Sequence, residues 1–343
     1  MKSMNIKVNF KHILYTLAVP AAVFLIMELL VYIIMGTHLL SSVLDIRNLI
    51  RDTGISCIIA YALSFNLASG RFDLSLGAQR LVATIIGGNL AIQLGFSGIG
   101  LILMVILFGL LFGFIVGFVF IKTRVAPIVL GIGMALIYES IAFASHNEGL
   151  QLFGVPDMAI LVDPTFTIAV LAIATVLVVF LLGFTKFRYE MQAVRGSHRI
   201  ARNSGINVFR HVLMCYTFAG GLVSVSGVLD TAFRGSMTPV LGLSSNTVVL
   251  TSTFPMFLGL YMSKWSNAAI GILFATLTLK FFTLGLVALK ISSSLSSTIN
   301  MVVFIAFLIF LANQNVLKRY KAEKNRIQQA KQKREEMALA NPV

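Results

Sequence analysis

The stretch LILMVILFGLLFGFIVGFVF, Leu101 to Phe120, is apolar for twenty consecutive residues. A helix of about 20 residues is long enough to cross roughly 30 Å of hydrocarbon. The run does not alternate between polar and apolar residues, as the strands of a membrane barrel do. It therefore predicts a membrane-spanning helix.

The whole chain has the composition of a membrane protein. Of its 343 residues 57% are hydrophobic and only 12% are charged, and its mean hydropathy is +0.90. A soluble domain carries about 25% charged residues. We therefore predict an all-α, polytopic helical transmembrane protein. The two cysteines, Cys57 and Cys215, lie in apolar segments, which indicates packing residues rather than a disulfide or a metal site.

Apolar runs separated by polar or helix-breaking residues divide the chain into about ten spans. The first run follows a basic N-terminus but is too long for the core of a signal peptide, so we interpret it as a retained span. The third begins at a polar turn, and the eighth contains Pro255. The predicted spans are residues 13–36, 48–69, 74–93, 97–121, 126–145, 165–184, 211–232, 245–262, 267–289 and 295–313.

Basic residues cluster at the N-terminus (Lys2, Lys7, Lys11), in residues 192–211, and from Lys318 to Arg334. An excess of lysine and arginine marks the cytoplasmic side of a membrane protein. Ten spans then place both termini in the cytoplasm. The net charge of +14 therefore reflects membrane topology and does not indicate a nucleic-acid partner. The C-terminal segment either contacts anionic lipid or is simply solvated.

A polar turn, LASGRFDLSLGAQ (Leu67 to Gln79), joins the second and third spans. Gly70 and Gly77 permit unusual backbone angles, and Asp73 and Ser75 can cap a helix start. Non-helical backbone at membrane depth survives only when it is buried in protein or faces a water-filled cavity. One interpretation is a broken helix beside a translocation path. The other is an ordinary cytoplasmic loop followed by a capped helix.

A basic segment, QAVRGSHRIARNSGINVFRH (Gln192 to His211), joins the sixth and seventh spans. Ser197 is suited to cap a short helix at residues 198–203, and Gly205 to end it. Isolated helices shorter than about 12 residues are marginal in water. We therefore expect this helix to dock on a partner surface; the alternative is a solvated loop.

These two segments resemble those of ABC-importer permeases of the branched-chain amino-acid and ribose-type family. The sequence SGRFDLSLGA is similar to the family's S-G-G-I-D-L-S-V-G-S, and GSHRIARNSGINV to its coupling pattern G-x-x-x-x-x-R-x-S-G-I-N-V. IKTRVAPIV also resembles the family's basic turn before its fifth span. The resemblance keeps its order from about Leu44 to Gly259, which is most of the chain.

The resemblance implies a permease subunit in the bacterial cytoplasmic membrane. Such a permease pairs with a second permease copy or a paralogue, docks a cytoplasmic ATP-binding subunit, and receives its solute from an extracytoplasmic binding protein. ATP and Mg²⁺ are used by the partner subunit, so this chain is not expected to be an enzyme or to bind a cofactor. Residues 1–12 would be a cytoplasmic tail, 13–313 the transmembrane permease domain with its coupling loop at 185–210, and 314–343 a basic cytoplasmic tail. The residues expected to couple to the ATPase are Gly196, Ser197, His198, Arg199, Arg202, Ser204, Gly205 and Ile206.

The chain departs from the family pattern in three places. His198, Arg199 and Ile200 replace an early Glu and small residues of the coupling helix, and Arg71 replaces the second glycine of the polar turn. The eighth span reads TSTFPMFLGLYMSKW where the family has a run of small residues. These changes suggest an unusual solute or pairing with a different permease, and we favour the heterodimer.

The family carries sugars and related polar solutes, including nucleosides, autoinducer sugars and riboflavin. Each candidate path residue is also a candidate for ordinary hydrogen bonding between packed helices. The residues expected to line the path are Asn66, Ser69, Asp73, Ser75, Gln79, Asn246 and Thr247.

A rival hypothesis is an ion-coupled secondary transporter. Charged residues within membrane helices are rare and often functional, and here Glu139, Asp230 and Lys280 could form a proton relay. Structural pairing, for example between Glu139 and Lys280, is the alternative role for these groups. A membrane enzyme is not indicated, because the chain has no GxxxxGK[ST], HExxH or GxSxG motif and its five histidines are scattered.

Overall fold

The computed structural model describes residues 10–123, 125–155 and 157–340, and these are mostly helical. The long helices are Phe10–Met35 (α1), Val43–Ala68 (α2), Leu76–Gln93 (α3), Ile99–Thr123 (α4), Pro127–Ser145 (α5), Pro164–Gly183 (α7), Val208–Arg234 (α10), Asn246–Met262 (α11), Ala268–Ala288 (α12) and Ser293–Ala340 (α13). The short helices are Ala159–Val162 (α6), Phe187–Gly196 (α8) and His198–Asn203 (α9). The all-α class is confirmed, with each predicted span overlapping one long helix. Lys2 and Lys7 of the predicted N-terminal tail lie outside the described residues.

The described residues contain one small antiparallel ladder that the sequence did not predict. Leu150–Gln151 (β1) pairs with Ser236–Met237 (β2), so that Leu150 lies opposite Met237. The Asn89 side chain donates a 3.0 Å hydrogen bond to the carbonyl of Gly149. The ladder therefore joins the loops that follow α5 and α10, and Asn89 ties the end of α3 to them.

Seven helices of the described chain are long and apolar enough to cross a membrane: α1, α4, α5, α7, α10, α12 and the first part of α13. The helices α2, α3 and α11 fall short of these criteria. α2 and α3 are more polar and lie largely inside the bundle, where every residue of α2 from Cys57 to Asn66 is buried. α11 has only 17 residues and is partly exposed, as at Leu250. A helix surrounded by protein does not need the uniformly apolar surface that lipid demands.

α10 packs against α4, α2 and α3 and lies at the centre of the bundle. Glycines at four-residue intervals on α4, Gly109, Gly113 and Gly117, face the part of α10 around Tyr216 and Gly220. Small residues allow helix backbones to approach closely in membranes, where the hydrophobic effect does not drive helices together. Side chains then bridge the remaining gaps, as where the Tyr138 hydroxyl of α5 donates to the Phe112 carbonyl of α4 at 2.8 Å.

By internal contacts the chain divides into two units, Met1–Gly285 and Leu286–Val343. The first contains α1 to α11 and most of α12. The second contains the last residues of α12 and all of α13. α13 continues without interruption past the predicted end of the tenth span at residue 313, so the basic C-terminal segment is helical as far as Ala340.

The close approach of α4 and α10 predicts that Gly113→Ala will destabilise the protein. A Cβ at Gly113 would lie 3.2 Å from the Cα atoms of both Gly220 and Thr217, and closer still to the Tyr216 carbonyl oxygen. Overpacking of this kind typically costs about 1–3 kcal/mol. The midpoint of thermal unfolding in detergent should therefore fall.

The matched control is Gly133→Ala on α5, where a Cβ would meet no atom within 4 Å. Alanine is the better helix former by about 1 kcal/mol, so this variant should be neutral or more stable. Equal midpoints for the two variants would contradict the proposed role of the α4–α10 contact.

Candidate functional site

Residues 69–75 of the polar turn separate α2 from α3. Its Ser69, Arg71, Asp73 and Ser75 are buried in the bundle, whereas Gly70 is exposed. Asp73 is its hub. One carboxylate oxygen accepts from the backbone N–H of Ser75 at 2.9 Å and from its hydroxyl at 2.6 Å. The other accepts from the side-chain amides of Asn66 at 3.1 Å and Gln79 at 3.4 Å. A buried carboxylate is tolerated only when hydrogen bonds replace its water, and these four provide them.

The turn lies well inside the bundle. The Ser69 hydroxyl is 3.5 Å from the Cys215 thiol, and Cys215 is seven residues beyond Val208, the first residue of α10. At 1.5 Å per residue this is a depth of about 10 Å along the helix. Ser69, Asp73 and Ser75 are all buried. These observations favour a helix interrupted within the bundle over an exposed connecting loop.

The start of α11 meets the start of α3 at the same place. A Cβ at Gly77 would lie 2.7 Å from the Ser245 carbonyl carbon and 3.2 Å from the Asn246 Cα. Glu139 of α5, which is 0% exposed, accepts the backbone N–H groups of Leu243 at 2.8 Å and Ser245 at 2.9 Å. Helix N-termini carry partial positive charge, so a buried carboxylate stabilises each of these two helix starts.

The structure brings most of the predicted path residues together. Asn66, Asp73, Ser75 and Gln79 form one hydrogen-bonded cluster around the start of α3. Asn246 is buried at the start of α11, where that helix touches α3.

Two predicted path residues make other contacts. The Ser69 hydroxyl donates to the Phe65 carbonyl at 3.2 Å. Thr247 is exposed, and its hydroxyl donates to the Ser244 carbonyl at 2.9 Å. These are local bonds within helix ends.

Several oxygen atoms around the two helix starts have no hydrogen-bond partner among the described residues. They are the side-chain oxygens of Asn66, Gln79, Ser245 and Asn246, all buried. An unsatisfied buried acceptor is destabilising, and binding a donor removes the penalty. The cluster is therefore chemically suited to a molecule that donates hydrogen bonds, whether solute or water.

The predicted coupling loop, residues 185–210 (hereafter the coupling segment), contains two helices, of which the sequence predicted only the second. α8 packs on the membrane helices through Phe187, Met191 and Val194, which are buried. The Phe187 ring lies 5.9 Å from that of Phe65 and 4.7 Å from that of His211. The i, i+4, i+7 spacing of these apolar residues in an otherwise polar stretch is the sequence pattern that could have predicted α8.

α9 has the predicted bounds and caps. The Ser197 hydroxyl accepts from the backbone N–H of Ile200 at 3.4 Å, and Gly205 follows the helix with a φ of +78°. Gly196, His198, Arg199, Arg202, Ser204 and Gly205 are exposed, and Ser197 and Ile206 are half-buried. Ile200, 67% exposed, projects from the same surface.

A cleft of about 890 Å³ lies between α9 and the end of α4. Its walls include Phe120 and Val125 on one side and His198, Arg202 and Asn207 on the other. The exposed side of the coupling segment is thus a basic surface with apolar patches.

The three charged residues of the ion-coupled hypothesis make separate contacts. Asp230 pairs with Arg80 at 2.5 Å and with Arg234 at 2.7 Å. Glu139 binds backbone N–H groups instead of Lys280. Within the described residues Lys280 forms no ion pair. The structure therefore shows no continuous relay through the three groups.

Seven described helices that are long and apolar enough to cross a membrane indicate a multi-pass membrane protein. Residues 46–312 match the family model for the permease component of branched-chain amino acid transport systems, and the chain belongs to this family. The ABC-importer permease family predicted from the two polar segments is thus confirmed.

Several curated proteins are similar to this chain over most of its length. The ribose import permease protein RbsC of Bacillus subtilis is 28% identical over 263 residues, covering 73% of this chain and 79% of that protein. The fructose import permease protein FrcC of Rhizobium meliloti is 25% identical over 283 residues, 78% of each chain. The autoinducer 2 import system permease protein LsrD of Escherichia coli O157:H7 is 28% identical over 287 residues, 76% of this chain and 82% of that protein. No solved structure matches the chain.

The bonds of Glu139 predict that Glu139→Gln will lower stability, because the amide offers one acceptor oxygen where the carboxylate offers two. Hydrogen bonds to charged groups contribute about 1.5–3 kcal/mol, so the loss should fall in that range. The measurement is the thermal unfolding midpoint in detergent. Glu148→Gln makes the same chemical change at an exposed position and should shift stability by less than about 0.5 kcal/mol. A Glu139 variant as stable as its control would show that these contacts do not hold the start of α11.

Proposed function

We propose that the chain is the membrane subunit of an ATP-driven importer for a sugar or a related small polar solute. The observation that carries the proposal is the coupling segment: a short capped helix, α9, is exposed beside a firmly packed helix, α8. A helix of six residues is unstable alone, so a fixed and exposed one is suited to receive a partner. The similarity to ribose, fructose and autoinducer 2 import permeases supports the solute class.

In this proposal the chain crosses the membrane ten times, with both termini in the cytoplasm. Ten helices of the described chain have at least 17 residues, and the coupling segment and the C-terminal segment carry the expected cytoplasmic excess of basic residues. α2 and α3 are then two parts of a helix broken after the second span. The buried turn between them supports this topology, because irregular backbone at membrane depth must be enclosed by protein or face a cavity.

The partners are a cytoplasmic ATP-binding subunit, an extracytoplasmic solute-binding protein and a second permease. The residues at the ATPase contact are those predicted, from Gly196 to Ile206. ATP and Mg²⁺ are used by the partner, and this chain binds no cofactor and acts on no nucleic acid. The unusual Arg71 and the bulky α11 support a heterodimer with a different permease.

The solute path passes the place where α3 and α11 begin. Asn66, Asp73, Ser75, Gln79 and Asn246 supply polar groups there, with Ser69 and Thr247 at the margins. Sugar hydroxyls can donate hydrogen bonds to the unused oxygens of Asn66, Gln79 and Asn246. Closure of the ATP-binding subunits moves the coupling helices and changes the side to which the path opens.

The geometry favours this mechanism over ion-coupled transport, because Asp230 and Glu139 are already occupied by arginine and backbone partners. The deciding experiment is isolation of the tagged chain from membranes in mild detergent. We expect an ATP-binding subunit and a second permease to co-purify. Vesicles reconstituted with the complex and supplied with the binding protein should take up labelled ribose, fructose or autoinducer 2. This uptake should occur only when ATP is present on the side of the membrane where the ATP-binding subunits lie. Uptake without any ATPase would overturn the proposal.

A substitution in the coupling segment tests the docking site. Gly205 has a φ of +78°, where a side chain costs about 1–2 kcal/mol and a β-branched one more. Gly205→Val should therefore disturb the end of α9 and prevent the ATP-binding subunit from co-purifying, while the protein still inserts into the membrane. Gly133→Val, at a helical glycine with open space, should leave co-purification unchanged. Normal association of the Gly205 variant would count against α9 as the docking element.

A further inference from the structure

The coupling segment and the polar turn, far apart in the sequence, touch in the structure. Gly70 of the turn has a φ of +82°, and a Cβ there would lie 3.6 Å from the Cγ of Arg195, at the end of α8. Phe187 of α8 packs against Phe65, on the last turns of α2 before the break. The end of α2 and the glycine of the turn therefore both lie beside α8.

A chain of polar side chains makes a second connection between the same elements. Glu190 of α8 lies 3.3 Å from the Nδ1 atom of His211 on α10. The Nε2 atom of His211 is 3.5 Å from the Cys215 sulfur, which is in turn 3.5 Å from the Ser69 hydroxyl of the turn. His211, Cys215 and Ser69 are buried, whereas the Glu190 side chain is 38% exposed. This series of side chains thus runs from the part-exposed Glu190 to Ser69 in the turn.

Arg71 gives this junction an uncompensated charge. It is 3% exposed, and its three guanidinium nitrogens meet no hydrogen-bond acceptor among the described residues. Its guanidinium carbon lies 5.9 Å from the rings of Phe120 and Tyr216. A buried unpaired cation is costly, so a shift that brings a carboxylate towards Arg71 is favourable. The junction therefore has a physical reason to adopt a second arrangement.

We propose that Glu190 and His211 are positioning residues that transmit movement of the coupling segment to the polar turn. In the arrangement described here Glu190 lies beside the imidazole of His211, and the Arg195 side chain of α8 lies beside Gly70. When a partner pulls α8 and α9, the Glu190–His211 contact breaks, the turn is released, and the Asp73 cluster moves with it. The inference rests on the proposed importer function, because it requires a partner that moves the segment.

Cys215 provides a test that does not require the solute to be known. Its thiol is buried within the junction, and Cys57, equally buried in α2, serves as an internal reference. The complex of permease and ATP-binding subunits is treated with N-ethylmaleimide, with and without MgATP, and modification of each cysteine is followed by mass spectrometry. We expect MgATP to accelerate modification of Cys215 by about tenfold, since local opening controls access to a buried group, and to leave Cys57 unchanged. Modification of Cys215 at the same rate in both conditions, while ATP is hydrolysed, would overturn the inference.

Variants separate transmission from simple packing. Glu190→Gln removes the charge from a part-exposed position, and His211→Phe keeps a ring against Phe187 but loses both nitrogens. In either variant Cys215 should react faster without nucleotide, and the acceleration by MgATP should fall to less than about twofold. The double variant should behave like each single one, because both remove the same link. Gln192→Ala, on the exposed face of α8, should retain the full nucleotide effect.

The outcomes distinguish this inference from the proposed function. If no ATP-binding subunit co-purifies with the wild-type chain, the importer proposal fails. If the complex forms and hydrolyses ATP but Glu190→Gln keeps the normal nucleotide effect on Cys215, the transmission role fails alone. Should His211→Phe not assemble, the Glu190→Gln result decides by the same criterion.

Discussion

The polar interior of this protein depends on the hydrogen bonds that the Asp73 side chain accepts. A buried carboxyl group needs hydrogen bonds to replace those it made with water, and Asp73 receives them from the end of α2, from its own turn and from the first turn of α3. Those bonds join the end of α2 to the start of α3 across the turn between them. Glu139 of α5 acts in the same way at the start of α11, where it accepts hydrogen bonds from the backbone N–H groups of Leu243 and Ser245. The polar groups of the candidate path therefore have fixed positions although no continuous helix carries them.

The features that the sequence predicted well are those determined by neighbouring residues. The length and hydrophobicity of each apolar run located the ten long helices, because an apolar segment of about 20 residues has few stable alternatives to a buried or membrane-spanning helix. α9 was predicted to the residue, since a serine cap and a terminal glycine define a short helix locally. The same local patterns also identified the family.

The features that escaped prediction depend on contacts between distant residues. Glu139 and Ser245 are 106 positions apart, and Arg80 and Asp230 are 150 apart. No periodicity reveals such pairs, so Lys280 was an equally reasonable partner for Glu139. α8 was missed because it is short and polar, although its three apolar residues lie on one face. For the path residues, the sequence identified the polar groups but not which of them would bond to each other and which would keep free oxygens.

The contact between Gly77 and the backbone of Ser245 has an evolutionary consequence. Any side chain at position 77 would have to occupy space that the carbonyl group of Ser245 already fills. The residue types at positions 77 and 245 therefore cannot change independently during evolution, although the two positions are 168 apart in the sequence. Among related sequences, a residue larger than glycine at position 77 should therefore accompany an altered length or composition in the loop that leads into α11.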